Sequence, residues 1–147
     1  MGQSVDLNGA ALQIFNHHLY ELAKGMRPLA MMTMTAAAAG PVIARLEGRG
    51  IAHHVHEACP ERVNVVFGCR PAVKAVRGFM VGPLCELSAE HDFMLGVLLG
   101  YDREMQCVRY LARSDAAAAA VETAAAAPPL LAIPPDHYAL EPGDLAM

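Results

Sequence analysis

Beyond Ser114 the chain stops supplying what a folded core needs, and this break bounds whatever is built upstream of it. Alanine runs at 116–120 and 124–127 are followed by Pro128-Pro129, Pro134-Pro135 and Pro142-Gly143. Alanine has no large side chain to bury, and proline removes the amide donors that helices and sheets need. Residues 115–147 are therefore expected to be an Ala/Pro-rich low-complexity tail, with at most a short extension of the last helix before the prolines. Its apolar cluster Leu130, Leu131 and Ile133 suits docking on the domain or on a partner. Residues 1–11 are expected to form a flexible start. That leaves 12–114 as a single domain, long enough to bury a core without staples.

Within that span, local patterns predict a series of short elements. Leu12, Ile14, Phe15, Leu19 and Tyr20 interleave with polar residues as a first strand over 12–21, and Ala23-Lys24-Gly25 reads as a turn into a second, 29–34. Thr35 is a suitable cap for a helix over 36–48, with Pro41 expected in its first turn. Strands over 51–58 and 62–68 follow, joined by a turn at Cys59-Pro60-Glu61. Val63, Val65 and Phe67 share one face of the latter. A helix over 71–79 precedes a loop containing Gly82 and Pro83. Ser88 then caps a long last helix running to about Arg113. Its first half, from Phe93 to Tyr101, is apolar almost all round, which implies burial on more than one side. Gly96 and Gly100 share a face of that helix, suited to close approach to the sheet. The pattern predicts an α+β fold: a two-layer sandwich with an antiparallel or mixed sheet of about four strands packed against helices, ending in the long C-terminal helix.

Charge and motif content exclude several function classes. A formal net charge of −4 opposes recognition of a phosphate backbone, so no nucleic-acid partner is expected. No stretch supplies the ~18–20 apolar residues of a membrane span. Met1 to Ala11 lacks the pattern of a secretory signal, and Asp6 stands where a myristoylation motif wants Ser or Thr. A cytoplasmic location is expected. Cys59, Cys69, Cys85 and Cys107 form no C-x-x-C pair, and are expected to be buried free thiols. The serine-nucleophile elbow, the phosphate-binding loop and the dinucleotide fingerprint are all missing from the sequence.

The histidines are the main chemical candidates. On a strand, His17 and His18 would point to opposite faces, whereas His54 and His56 would share one and His53 would take the other. An H-x-H strand pair can chelate a transition metal or haem iron, with whichever of His17 or His18 faces the same way as a third ligand. That site requires the first and third strands to be neighbours. A proton-transfer group built from His18, Tyr20 and Glu21 is a further alternative.

Three segments carry a resemblance. They are His17-His18-x-Tyr20-Glu21 with Lys24-Gly25-x-Arg27, then Asn64-x-x-Phe67-Gly68, then Asp92-Phe93-x-Leu95-Gly96-x-x-Leu99-Gly100-Tyr101-Asp102 with Gln106-Cys107-x-x-Tyr110-Leu111. Over about Asn16 to Leu111 the chain resembles the small bacterial family designated domain of unknown function twenty-twenty-three. The resemblance implies a compact α+β unit with no established activity, and an accessory role beside flavodoxin-like electron carriers, near which members are often encoded. It weights His17, His18, Tyr20 and Glu21 over His53, His54 and His56, which lie outside the shared pattern.

These observations converge on a non-enzymatic protein-binding accessory module, with a flavodoxin-like partner. Its expected contact residues are His17, His18, Tyr20, Glu21, Lys24, Arg27, Arg103 and Arg109, whose cations suit an acidic carrier. The alternatives are a metal- or haem-binding protein using His17, His18, His54 and His56, and a small enzyme with the His/Tyr/Glu group. An edge strand and a sparsely charged surface also permit a homodimer.

Overall fold

A computed structural model describes residues 3–123. Helix α1 spans Gln3–Ala23, strand β1 Leu29–Thr35, helix α2 Ala36–Gly48, strands β2 and β3 Ala52–Cys59 and Arg62–Gly68, and helix α3 Arg70–Phe79. A single 3-10 turn at Leu84–Glu86 precedes α4, Ala89–Leu98, and α5, Arg103–Thr123. The tail expected over 115–147 lies outside the described residues beyond Thr123.

The segment expected as a first strand is instead α1. Its inward residues, Leu12, Phe15, Leu19 and Leu22, recur at spacings of three and four, the period of a helix rather than of a strand. The turn at Lys24-Gly25 is the end of that helix. Gly25 takes φ 71°, and the amides of Gly25 and Met26 return to the carbonyls of Leu22 and Glu21, a Schellman closure. Among the described residues the sheet therefore has three strands rather than about four, all antiparallel, in the order β1-β3-β2.

The central pairing sets Met32 opposite Val65 and Val65 opposite Val55. Because β1 is an unbroken run, Leu-Ala-Met-Met, both of its faces are buried, as expected of a strand covered on each side. Ala30, Met32, Met34, Val65 and Phe67 meet α1 and α2, and the rings of Phe15 and Phe67 lie 5.3 Å apart. Leu29, Met31 and Val66 meet α3 and α4 on the opposite face. The layering is helix, sheet, helix, so the two-layer expectation is corrected. Arithmetic of side-chain alternation in β1 and β3 requires it, because apolar residues occupy both faces.

The long helix expected from Ser88 is two helices. The Ser88 cap forms, its hydroxyl accepting from the His91 amide at 3.1 Å. Gly100 (φ 81°) then closes α4 with the same Schellman pattern, Gly100 N–H to Val97 O and Tyr101 N–H to Gly96 O. Asp102 starts α5, its carboxylate accepting from the Met105 amide at 2.9 Å. The second helix folds back along the first. Gly96 makes its close approach to the Gln106 side chain of α5, not to the sheet. Two smaller expectations also change. Pro41 sits inside α2, beyond the first turn that Thr35 caps, and all four free cysteines are exposed.

Gly100 combines a left-handed backbone with tight packing, since a Cβ there would lie 3.0 Å from the Arg27 Cβ. Gly100→Ala is expected to destabilise by about 1–3 kcal/mol. Gly40→Ala, in the open interior of α2, should instead stabilise by up to ~1 kcal/mol. Urea midpoints of the two variants check the contrast, and equal effects would contradict the assigned turn.

Candidate functional site

The helical period of α1 places His17 and His18 only about a third of a turn apart. His17 faces outward and its Nε2 lies 2.7 Å from Glu21 Oε1, one turn on. His18 turns inward, 2% exposed, with its ring edge-on to Phe67. After the Schellman turn the chain doubles back, and Arg27 reaches both. Its Nε lies 3.2 Å from Glu21 Oε2, while one terminal nitrogen donates to His18 Nδ1. The other donates to the Leu99 carbonyl at 3.1 Å. A guanidinium can only donate, so His18 Nδ1 is the acceptor and the neutral ring carries its proton on Nε2. Burial first, then the Arg27 and His17 charges, depress the His18 pKa from 6.5 to about 3.

This geometry limits the chemistry. The lone pair that would make His18 a base or a ligand is held by Arg27. Tyr20 does not join it. That ring is exposed, with the Lys24 ammonium 5.5 Å from its centroid. His18, Tyr20 and Glu21 therefore do not line one pocket.

A second cluster ties α4 to α5. Asp92, buried on α4, accepts two bonds from Arg109, at 2.7 Å and 3.1 Å. Arg113 Nη1 lies 2.8 Å from Asp92 Oδ1, the oxygen that also accepts from Arg109 Nη2. Arg113 also donates to the Leu87 carbonyl at 2.8 Å. Arg109, expected at a partner surface, is thus half-buried in an internal ion pair, whereas Arg103 is exposed.

The third cluster runs straight across the sheet on the α3–α4 face. Thr33 donates to Asn64 Oδ1 at 2.6 Å, and Asn64 Nδ2 donates to His56 Nδ1 at 3.1 Å. His56 Nε2 then donates to the Gly82 carbonyl at 2.8 Å. Both His56 nitrogens are thereby used, leaving none for a metal. His54 shares this face, and burial lowers its pKa, with a backbone bond to Met80 opposing and Arg77 and His56 adding to the shift. His18 lies on the Phe67 face, so the sheet separates it from His54 and His56. The three-histidine arrangement is corrected: the expected first strand is a helix, and its inward histidine is on the wrong face. Among the described residues no group of three or more His, Cys, Asp or Glu side chains is placed to hold a metal ion.

A pocket of about 590 Å³ opens beside these histidines, lined by His54, His56, Glu57, Arg77, Met80 and Gly82 among others, whereas two further grooves are almost wholly apolar. An apolar groove of about 450 Å³ between α3 and α4 is lined by Pro28, Pro71, Ala72, Ala75, Val97 and Leu98, with Cys69 at one side. A second, of about 490 Å³, lies between α4 and α5 beside Glu90, Cys107, Tyr110 and Leu111. Phe93 and Met94 line both. Sequence reasoning missed this face, although the surplus of apolar residues around α4 was its signal. It also missed the exposed cations of α3, Arg70, Lys74 and Arg77.

The fold and its clusters define a small α+β protein in which histidine, arginine and carboxylate groups clamp helices around a three-stranded sheet. A family model described as "Protein of unknown function (DUF2023)" matches residues 13–113, and the chain belongs to that family. No curated protein matches it. Among the described residues no helix is long and apolar enough to cross a membrane.

The His18 shift has a definite sign. Its folded pKa lies below the unfolded value, so its contribution is fully present above about pH 6.5 and is lost as pH falls toward 3. Stability should decline between pH 7 and pH 5, by at most ~1.4 kcal/mol per pH unit from this group. His18→Gln, which cannot titrate, should flatten that interval in denaturant melts. An unchanged slope in the variant would remove His18 as the cause. Arg27→Lys keeps the charge but cannot span three acceptors, and should cost about 1.5–3 kcal/mol in the same melts.

Proposed function

We propose that this protein is a non-enzymatic, protein-binding accessory module, docking through the outer side of α4 and the adjoining flanks of α3 and α5. The observation that carries this reading is large apolar exposure on these helices: Met94 42%, Met105 62%, Val108 56% and Leu111 59%. Met105, Val108 and Leu111 recur every three residues along α5, and Met94 stands between the two apolar grooves. Contiguous apolar surface left in water is a common mark of an interaction site. The polar clusters support the same reading. Glu21, Arg27, Asp92, Arg109 and Arg113 are engaged with one another, as structural clamps are.

The particular partner we propose is a flavodoxin-like electron carrier. Family resemblance supports it, as do the exposed cations Lys24 and Arg103, and Arg70 and Lys74 beside the groove, which suit an acidic carrier surface. His17 and Tyr20 stand with Lys24 on α1, across the sheet from the α3–α4 grooves, and are left outside the proposed apolar contact. Arg27, Arg109 and His18 would act in this scheme by holding the helices, not by touching the partner. A cytoplasmic setting accords with four free, exposed thiols.

Titration calorimetry with flavodoxin tests the reading. Binding is expected at low ionic strength and should weaken as salt screens the charges. Met94→Asp should lower the affinity by about tenfold or more, as removal of a central contact does. Absence of binding at low salt eliminates flavodoxin as the partner, and binding indifferent to Met94→Asp eliminates this face.

A further inference from the structure

The two outer strands of the sheet differ in how far they are covered. In the order β1-β3-β2, β1 is buried along most of its length. β2 is half-buried to exposed everywhere except at His56. Its sequence, AHHVHEAC, holds none of the Lys, Arg or Pro residues that blunt a free edge. A bulge interrupts it only past Glu57.

The direction of each backbone group along β2 follows from two bonds. Antiparallel ladders send the N–H and C=O of alternate residues to opposite sides. The Cys69 amide donates to the Pro28 carbonyl, which extends the β1–β3 ladder and turns the odd-numbered residues of β3 toward β1. The even-numbered residues of β3 therefore bond β2, at Ala52, His54 and His56. His53, Val55 and Glu57 then present their N–H and C=O outward. The His53 carbonyl agrees, since it accepts from Arg77 Nη2 at 2.9 Å.

This edge has room beside it and a self-complementary order. The pocket of about 590 Å³ is lined by Val55 and Glu57 together with Arg77 and Val81. His54 bonds the backbone at Met80, and His56 donates to the Gly82 carbonyl. The loop is thereby held alongside the strand, and Val81 between those anchors is 86% exposed. Val55, 40% exposed, is the middle outward residue, with Arg77 at the His53 end and Glu57 at the other. Among the described residues neither Arg77 nor Glu57 has an ion-pair partner. A twofold axis at Val55 sets Val55 against Val55, and brings each Glu57 beside His53 and Arg77 of the other copy.

We infer that two copies of this protein pair antiparallel through their β2 edges, centred on Val55, into one continuous sheet of twice the width. The opposed outward residues each exchange both N–H···O bonds, about six in all. Arg77 need not move, because a carbonyl accepts two bonds and His53 has one to spare. Val65 lies opposite Val55 on the α1–α2 face, so the apolar row Met32-Val65-Val55 runs on into Val55 and Val65 of the copy. Such an interface uses the same patch on both molecules and closes at two. Its residues are distinct from those of the apolar grooves, so the pairing leaves the docking face proposed above free in each copy.

Because the contact is small, a dissociation constant on the order of 10 µM is expected, read by sedimentation velocity of the full-length chain over about 1–500 µM. Val55→Lys places a charge on a side chain already partly in water. It should leave the far-ultraviolet circular dichroism unchanged and raise the constant by about tenfold or more. Val55→Pro removes an amide that bonds nothing within one copy, and should act in the same direction. Glu57→Arg sets like charges together and should also dissociate the pair, whereas Glu57→Arg/Arg77→Glu should recover association. Met94→Asp should have no effect. A parent chain that is monomeric throughout the range overturns the inference. A dimer indifferent to Val55→Lys and Glu57→Arg, or one dissociated by Met94→Asp, overturns it too, because another face then holds the copies.

Discussion

The guanidinium of Arg27 sits where the two halves of this molecule meet. It follows the end of α1, which packs on one face of the sheet, and precedes β1, which begins the sheet itself. From that position it pairs with Glu21 and holds His18 on the α1 side, then reaches the last carbonyl turn of α4, on the other face, at Leu99. Two helices that end in Schellman turns, at Gly25 and Gly100, are thereby pinned to one side chain. The glycines are part of the device. A side chain at 100 would collide with the aliphatic stem of Arg27, and a helix continuing through 25 would carry Arg27 away from the sheet. Because the guanidinium donates in several directions in one plane, no single-point cation can substitute for it.

The same logic explains the second clamp. Asp92 is removed from water, a costly position for a carboxylate unless its oxygens are fully met. Arg109 and Arg113 meet them, and Arg113 adds the Leu87 carbonyl. This fixes α5 against α4 through polar contacts and leaves the apolar residues of α5 for the surface. A helix pair stapled by buried charge can expose Met105, Val108 and Leu111 without losing its geometry. The apolar face proposed for docking therefore depends on the ion pairs behind it.

Much of the architecture was legible locally. The Thr35 and Ser88 caps, the hairpin of β2 and β3, the apolar β1 run and the position of α3 all rest on neighbours within a few residues. The failures share a cause. Leu12, Ile14, Phe15, Leu19 and Tyr20 satisfy a strand reading and a helical one equally until Phe67 and Leu46 are known to lie beneath only some of them. Gly96 and Gly100 fit one long helix until Gln106 and Arg27 are seen to need the space. Among the site residues, His54 and His56 do share a face, but Asn64 and Gly82 occupy both nitrogens of His56, which no spacing within β2 reveals.

What the sequence determined by itself was the set of local commitments: where backbone donors are capped, where glycine permits a left-handed turn, and which segment carries the family pattern. Those are short-range matters of steric and hydrogen-bond chemistry. Only the tertiary structure decided which face of each helix is inside, and so which histidine is buried and which arginines are spent internally. It also decided that the apolar excess of α4 faces outward as grooves beside a cationic helix. Such outcomes depend on residues far apart in the chain competing for the same space and the same charge, and they have no signature in any one segment.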